Sequence, residues 1–177
     1  MLTLARLCEL GCVTRWNLCG GRLPVRTFYY AENWRAAASK LELTQSRRLA
    51  RSPSAQGRVL GLVEQFVAGD RRAILVRPNG NGMEPPFKRL DPPHEVVVTM
   101  RTEHTRSFGY FAARDTYVAL FLAEVTTLKP PPGSGRRRRG PNDPYGILAT
   151  KVEKFLRRIT ASEIDRTTNV EDLISDP

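Results

Sequence analysis

Two histidines occur in the chain, and His104 is placed where acid or base chemistry would be useful. It lies between Arg101 and Arg106 in Met100-Arg101-Thr102-Glu103-His104-Thr105-Arg106, a stretch that reads as a strand end, a polar turn and a second strand. Cations on either side should lower the pKa of its imidazole and keep it neutral, as a general base requires. A solvent-exposed turn histidine is the competing reading. His94, next to Pro92 and Pro93 at a strand start, reads as structural or exposed. Tyr110 and Tyr145 could stack on bases or donate protons, against the plainer readings of a core aromatic on a strand and a tyrosine at a helix start. Glu95, Glu103, Asp115 and Glu124 are the acidic residues of this region, and they suggest no catalytic carboxylate pair. Arg136, Arg137, Arg138 and Arg139 form a run that would release counterions on meeting nucleic acid without reading its sequence.

The whole chain supports a polyanionic partner. Its 177 residues carry a formal charge of +10 with a pI near 10.2, a field that attracts phosphate backbones or anionic surfaces. Only five of the 28 basic residues are Lys, and arginine's planar fork suits bidentate phosphate contacts. RNA is the polyanion expected. Every apolar run is far shorter than the roughly 18 residues a membrane span needs, so no membrane partner is expected. The start of the chain is interrupted by Arg6, Glu9 and Arg15, unlike a signal peptide, and a cytoplasmic setting is expected. Cys8, Cys12 and Cys19 have no His or acidic partner at metal-site spacing, and neither a metal nor any other cofactor is implied.

The elements that would position these residues follow from periodicity. Residues 1–24 lack a periodic apolar face and read as a disordered or spurious extension. Val25 to Tyr30 reads as a strand, Trp34 to about Leu49 as a helix ended by Pro53, and Ala55 to Ala68 as a helix capped by Ser54 and closed by Gly69. Arg71 to Arg77 is a short mixed run followed by a Pro/Asn/Gly turn. His94–Arg101, Arg106–Phe111 and Thr116–Val125 should pair as an antiparallel meander with one covered and one more open face. Residues 130–144, rich in Pro, Gly and Arg, read as a mobile loop, Tyr145 to Ile159 as an amphipathic helix, and 166–177 as an acidic tail. The fold class expected is α+β over residues 25–165: a small antiparallel sheet made of a strand, two helices and a three-stranded meander, with a C-terminal helix.

That order of elements resembles the RelE/HigB/ParE superfamily of small bacterial toxins from type II toxin-antitoxin systems, over about Val25 to Lys129. Pro86-Phe87-Lys88-Arg89-Leu90 resembles the family's entry to its second strand, Met100-Arg101-Thr102 its strand end, and Arg106-Ser107-Phe108-Gly109-Tyr110-Phe111 its following strand. The resemblance implies an endoribonuclease that cuts messenger RNA, commonly on the ribosome, by attack of a ribose 2′-hydroxyl on the adjacent phosphate. It also implies a cognate antitoxin protein that covers the basic face. Arg101 and Arg106 then match family arginines on adjacent strands, and Lys129 falls near a family lysine pair; with His104 they make the catalytic set. Lys88 and Arg89 join Arg136 to Arg139 as RNA-binding residues.

The sequence departs from the family where Val97 and Thr99 replace a Glu-x-Arg pair, and where Phe121-Leu122-Ala123 replaces a common His-Gly-Phe segment. A non-catalytic member that binds nucleic acid or protein would keep the fold and lose such residues, and this is the alternative expectation.

Overall fold

The structure, a computed structural model, describes residues 1–18, 20, 23–45, 54–70, 86–128, 143–167 and 170–175. In chain order the elements are α1 (Leu4–Glu9), β1 (Val13–Arg15), β2 (Thr27–Ala31), α2 (Glu32–Gln45), α3 (Ala55–Val67), β3 (Phe87–Arg89), β4 (Val98–Arg101), β5 (Thr105–Ala113), β6 (Thr116–Glu124), α4 (Val125–Leu128) and α5 (Pro144–Leu156). Short 3-10 turns follow at Ala161–Glu163 and Val170–Leu173. The strands form one six-stranded sheet in the order β1-β2-β6-β5-β4-β3. All neighbours are antiparallel except β2 and β6, which run parallel.

The β4–β5–β6 meander forms as its alternation predicts, and local chemistry sets both turns. Thr102 Oγ1 accepts hydrogen bonds from the backbone N–H groups of His104 and Thr105, at 3.3 and 3.0 Å, which closes the first turn. Asp115 closes the second at φ +60°, a left-handed conformation that a short polar side chain tolerates. Between the turns the register shifts after Phe108, and Leu120 and Phe121 of β6 both come to lie on the α5 side of the sheet. Gly109 is required at this bulge, because a Cβ there would sit 2.0 Å from the Val118 carbonyl oxygen.

Both faces of the sheet are covered, where one open face was expected. Phe28, Phe87, Met100, Phe111 and Tyr117 pack against Trp34, Val59, Val63 and Phe66 of α2 and α3. Val97, Phe108, Tyr110, Val118 and Leu120 pack against Leu7 of α1 and Ala149, Val152 and Leu156 of α5. Each fully buried side chain of this size contributes about 1.5–3 kcal/mol, so the two layers together make a substantial core. Ser54 caps α3 as expected, its Oγ accepting from Gly57 N at 3.0 Å, and Gly69 follows the helix at φ +90°.

The expected small antiparallel sheet is corrected in three respects. It is a six-stranded mixed sheet, because Phe87–Arg89 forms its own edge strand on β4 and Val13–Arg15 forms the other edge on β2. Residues 1–18 belong to the fold: Leu7 and Val13 are buried, and Leu2 bridges to Ile159. The acidic tail also docks, with Leu173 and Ile174 buried in the α2/α3 core. Strand β4 starts at Val98 and not at His94, since Pro92 and Pro93 offer no ladder N–H and the chain turns there through His94 N to Asp91 O and Val97 N to His94 O bonds. Cys19, Leu49, Pro53, Arg71 to Arg77, Lys129 and Arg136 to Arg139 lie outside the described residues.

Candidate functional site

An open cleft of about 170 Å³ lies on the α5 side of the sheet, at the β3–β4–β5 edge. It is lined by Lys88, Arg89, Leu90, Asp91, Arg101, Arg106 and Tyr145. Four of the ten site residues put forward from the sequence, Lys88, Arg89, Arg101 and Arg106, meet here, drawn from three strands. Arg101 and Arg106 are direct cross-strand partners because the Thr102–Thr105 turn sets them opposite each other. Lys88 pairs with Thr99, two residues before Arg101 and on the same face.

A chain of hydrogen bonds orients Arg101. The hydroxyl of Thr99 donates to the Lys88 carbonyl at 3.1 Å and accepts from Arg101 Nε at 2.9 Å. Arg101 Nη2 reaches the Tyr145 hydroxyl at 3.4 Å. Tyr145 enters the site from the first turn of α5, started by Asp143 and Pro144, and its ring meets Phe108 edge-to-face at 4.8 Å. Arg106 Nη1 donates to the carbonyls of Thr102 and Thr105, the latter at 2.8 Å. Both arginines are half-buried. Like charges set directly across a strand pair oppose each other by about 0.2–1 kcal/mol, and an anion seated between them would remove that cost.

Arg89 forms part of the wall, but its guanidinium is engaged elsewhere. It donates to the Glu95 carbonyl at 2.6 Å and to the Thr167 carbonyl, tying the loop after β3 to the segment after α5. Its Nε is buried with no partner among the described residues, and this desolvation lowers its pKa from arginine's ordinary value.

His104 is exposed in the turn and is not among the lining residues; its Nε2 lies 3.7 Å from a Glu103 carboxylate oxygen. Its nearest charged partner is therefore an anion, where flanking cations were expected. His94 lies outside the cleft, with Nδ1 2.9 Å from Glu153 of α5. Tyr110 is a core residue, as its plainer reading had it. Sequence reasoning gave no role to Asp91, the only carboxylate among the described lining residues. Its signal was the Lys-Arg-Leu-Asp run that carries β3 into the following loop. It also counted Thr99 as a departure from the family pattern, whereas Thr99 is the residue that holds Arg101.

No family model, curated protein or solved structure matches this chain.

Proposed function

We propose that the cleft seats a phosphodiester of RNA and that the protein is a toxin-like endoribonuclease acting on messenger RNA. The observation that carries this reading is the meeting of Lys88, Arg101 and Arg106 beside a tyrosine hydroxyl and a single carboxylate. In the reaction, the ribose 2′-oxygen bonds to phosphorus and the bond from phosphorus to the 5′-oxygen breaks, leaving a 2′,3′-cyclic phosphate and a 5′-hydroxyl. Asp91 accepts the 2′-hydroxyl proton and Tyr145 supplies one to the departing oxygen. Arg101, Arg106 and Lys88 face the charge that accumulates on the non-bridging oxygens. Arg89 acts as a positioning residue for the wall, and His104 has no part in the chemistry. By the same reading a cognate antitoxin would neutralise the protein by laying an acidic segment over the cleft.

Tightly controlled expression followed by mapping of 5′ ends in cellular RNA tests this directly. New ends carrying 5′-hydroxyls, together with slowed growth, are expected. Unchanged RNA and normal growth would leave a non-catalytic binding module as the better description. Among the described residues no helix is long and apolar enough to cross a membrane.

A further inference from the structure

Helix α5 starts at the cleft with Tyr145 and carries Lys151 and Lys154 away from it; Arg157, its C-cap, and Arg158 follow at once, and all four are exposed. Lys151 and Lys154 lie on the side of the helix opposite its buried residues Ala149, Val152 and Leu156. None of the four basic groups makes an ion pair among the described residues, in contrast to the Arg6–Glu9 and Arg35–Glu32 pairs elsewhere on the surface. A cation in the last turn answers the helix dipole, which accounts for Lys154 but not for Lys151, a full turn nearer the cleft. Lys151 Nζ instead lies 6.0 Å from the centre of the Phe121 ring. Phe121 is the cross-strand partner of Phe108, the residue that supports Tyr145. The basic strip and the cleft thus meet at neighbouring positions of one sheet face, Lys151 over Phe121 and Tyr145 against Phe108.

Resting on the reading above, we infer that this strip of α5 binds the backbone of single-stranded RNA as it leaves the cleft. At about 1.5 Å rise per residue, Lys151 to Arg157 spans roughly 9 Å. With long side chains fanning out from that length, the four cations can neutralise up to about four phosphates of a single strand. Exposed lysines and arginines on a rigid helix hold such a strand by charge, without reading bases.

The test compares the full chain with a variant carrying Lys151→Gln, Lys154→Gln, Arg157→Gln and Arg158→Gln. The probes are a cleavage-resistant 2′-O-methyl oligouridylate of roughly fifteen nucleotides and a cleavable dinucleotide that fills only the cleft. The variant should lose affinity for the long strand, with the slope of log affinity against log salt shallower by about 3, since each phosphate contact contributes about 0.7. It should cleave the dinucleotide at the wild-type rate. A control with Arg15→Gln, Lys40→Gln and Arg114→Gln, exposed elsewhere, should change the slope far less per charge removed. Wild-type affinity and slope in the four-site variant, or an equal loss per charge in the control, would overturn the strip while leaving the cleft intact. A wild type that neither binds nor cuts RNA would overturn both. A strip that captures a polyglutamate peptide and leaves RNA binding unchanged is a protein-docking surface, and the inference fails in that case also.

Discussion

The β5–β6 hairpin has an arginine site at each end, and the two are built to opposite ends. At the Asp115 turn, Arg26 is 1% exposed and directs its donors to Asp115 Oδ1 at 3.2 Å, the Phe66 carbonyl at 3.3 Å and the Ser175 carbonyl at 2.7 Å. Ser175 N returns a bond to the same carboxylate oxygen at 2.8 Å, and Asp115 N binds the Leu173 carbonyl. At the far end, Arg106 is held by two neutral carbonyls and stands opposite Arg101 in a cleft open to solvent. A buried guanidinium matched with a carboxylate serves the fold. Half-buried guanidinia set across from one another concentrate positive charge at the cleft, a field that draws in an anion. The residue type is the same, and its surroundings decide which it does.

The sharpest way to break this contrast is to exchange Arg26 for an apolar residue of similar length. Arg26→Met leaves Asp115 short of its buried partner and frees the Ser175 and Phe66 carbonyls, and removing one member of such a pair costs about 3–5 kcal/mol. For a chain of this size that corresponds to a melting temperature lower by roughly 10 °C, measured by calorimetry. RNA cleavage per folded molecule, assayed well below the transition, should stay at the wild-type level. A variant that melts like wild type would show that Arg26 does not hold the C-terminal segment in place.

The opposite response is expected at the cleft end. Arg101→Ala and Arg106→Ala should each lower the cleavage rate by about 10²–10³, as loss of one preorganised donor to a charged transition state does. Their melting temperatures should move only a few degrees, because each side chain is partly solvated and its partners stay accessible to water. Arg→Lys at either position should recover only part of the rate, since lysine keeps the charge but not the fork that bridges two phosphate oxygens. Full activity in both Ala variants would remove these residues from the chemistry.

The legibility of the two ends differed for a physical reason. Arg101 and Arg106 were legible because the four polar turn residues Thr102 to Thr105 place them across from each other, a local relation. Ser54 as a cap and the α3 stripe were legible on the same grounds. Tyr145 meets Arg101 across 44 positions, and Arg26 meets Ser175 across 149, relations that no local pattern contains. Residues 1–18 and the tail misled because their buried residues Leu7, Val13, Leu173 and Ile174 sit in or beside elements too short to show a period. They are buried because β1 extends the sheet beyond β2 and the tail folds under the Asp115 turn. The second strand face was expected to be more open for the same reason: the helices α1 and α5 that cover it come from opposite ends of the chain.

The smallest effect is expected within the hairpin itself, where two tyrosines on opposite faces share burial but not bonding. Tyr117 donates to the Val98 carbonyl at 2.9 Å with the Ser107 carbonyl at 3.3 Å. The Tyr110 hydroxyl is buried with no partner among the described residues. Removing the bonded hydroxyl in Tyr117→Phe should cost about 1 kcal/mol, whereas Tyr110→Phe relieves an unmet desolvation penalty and should gain about 1 kcal/mol. Burial raises both phenols well above the ordinary tyrosine pKa. In the folded protein they therefore stay protonated while the unfolded chain begins to lose protons near pH 10, so stability is intact below that pH and falls as pH rises through and beyond it. Tyr110→Phe removes one of these two groups, and its stability should decline less steeply above about pH 10 than that of wild type. Denaturant melts at neutral and alkaline pH measure both effects. If Tyr110→Phe destabilises the protein as much as Tyr117→Phe, the Tyr110 hydroxyl has a hydrogen-bond partner and the two faces of the hairpin are alike.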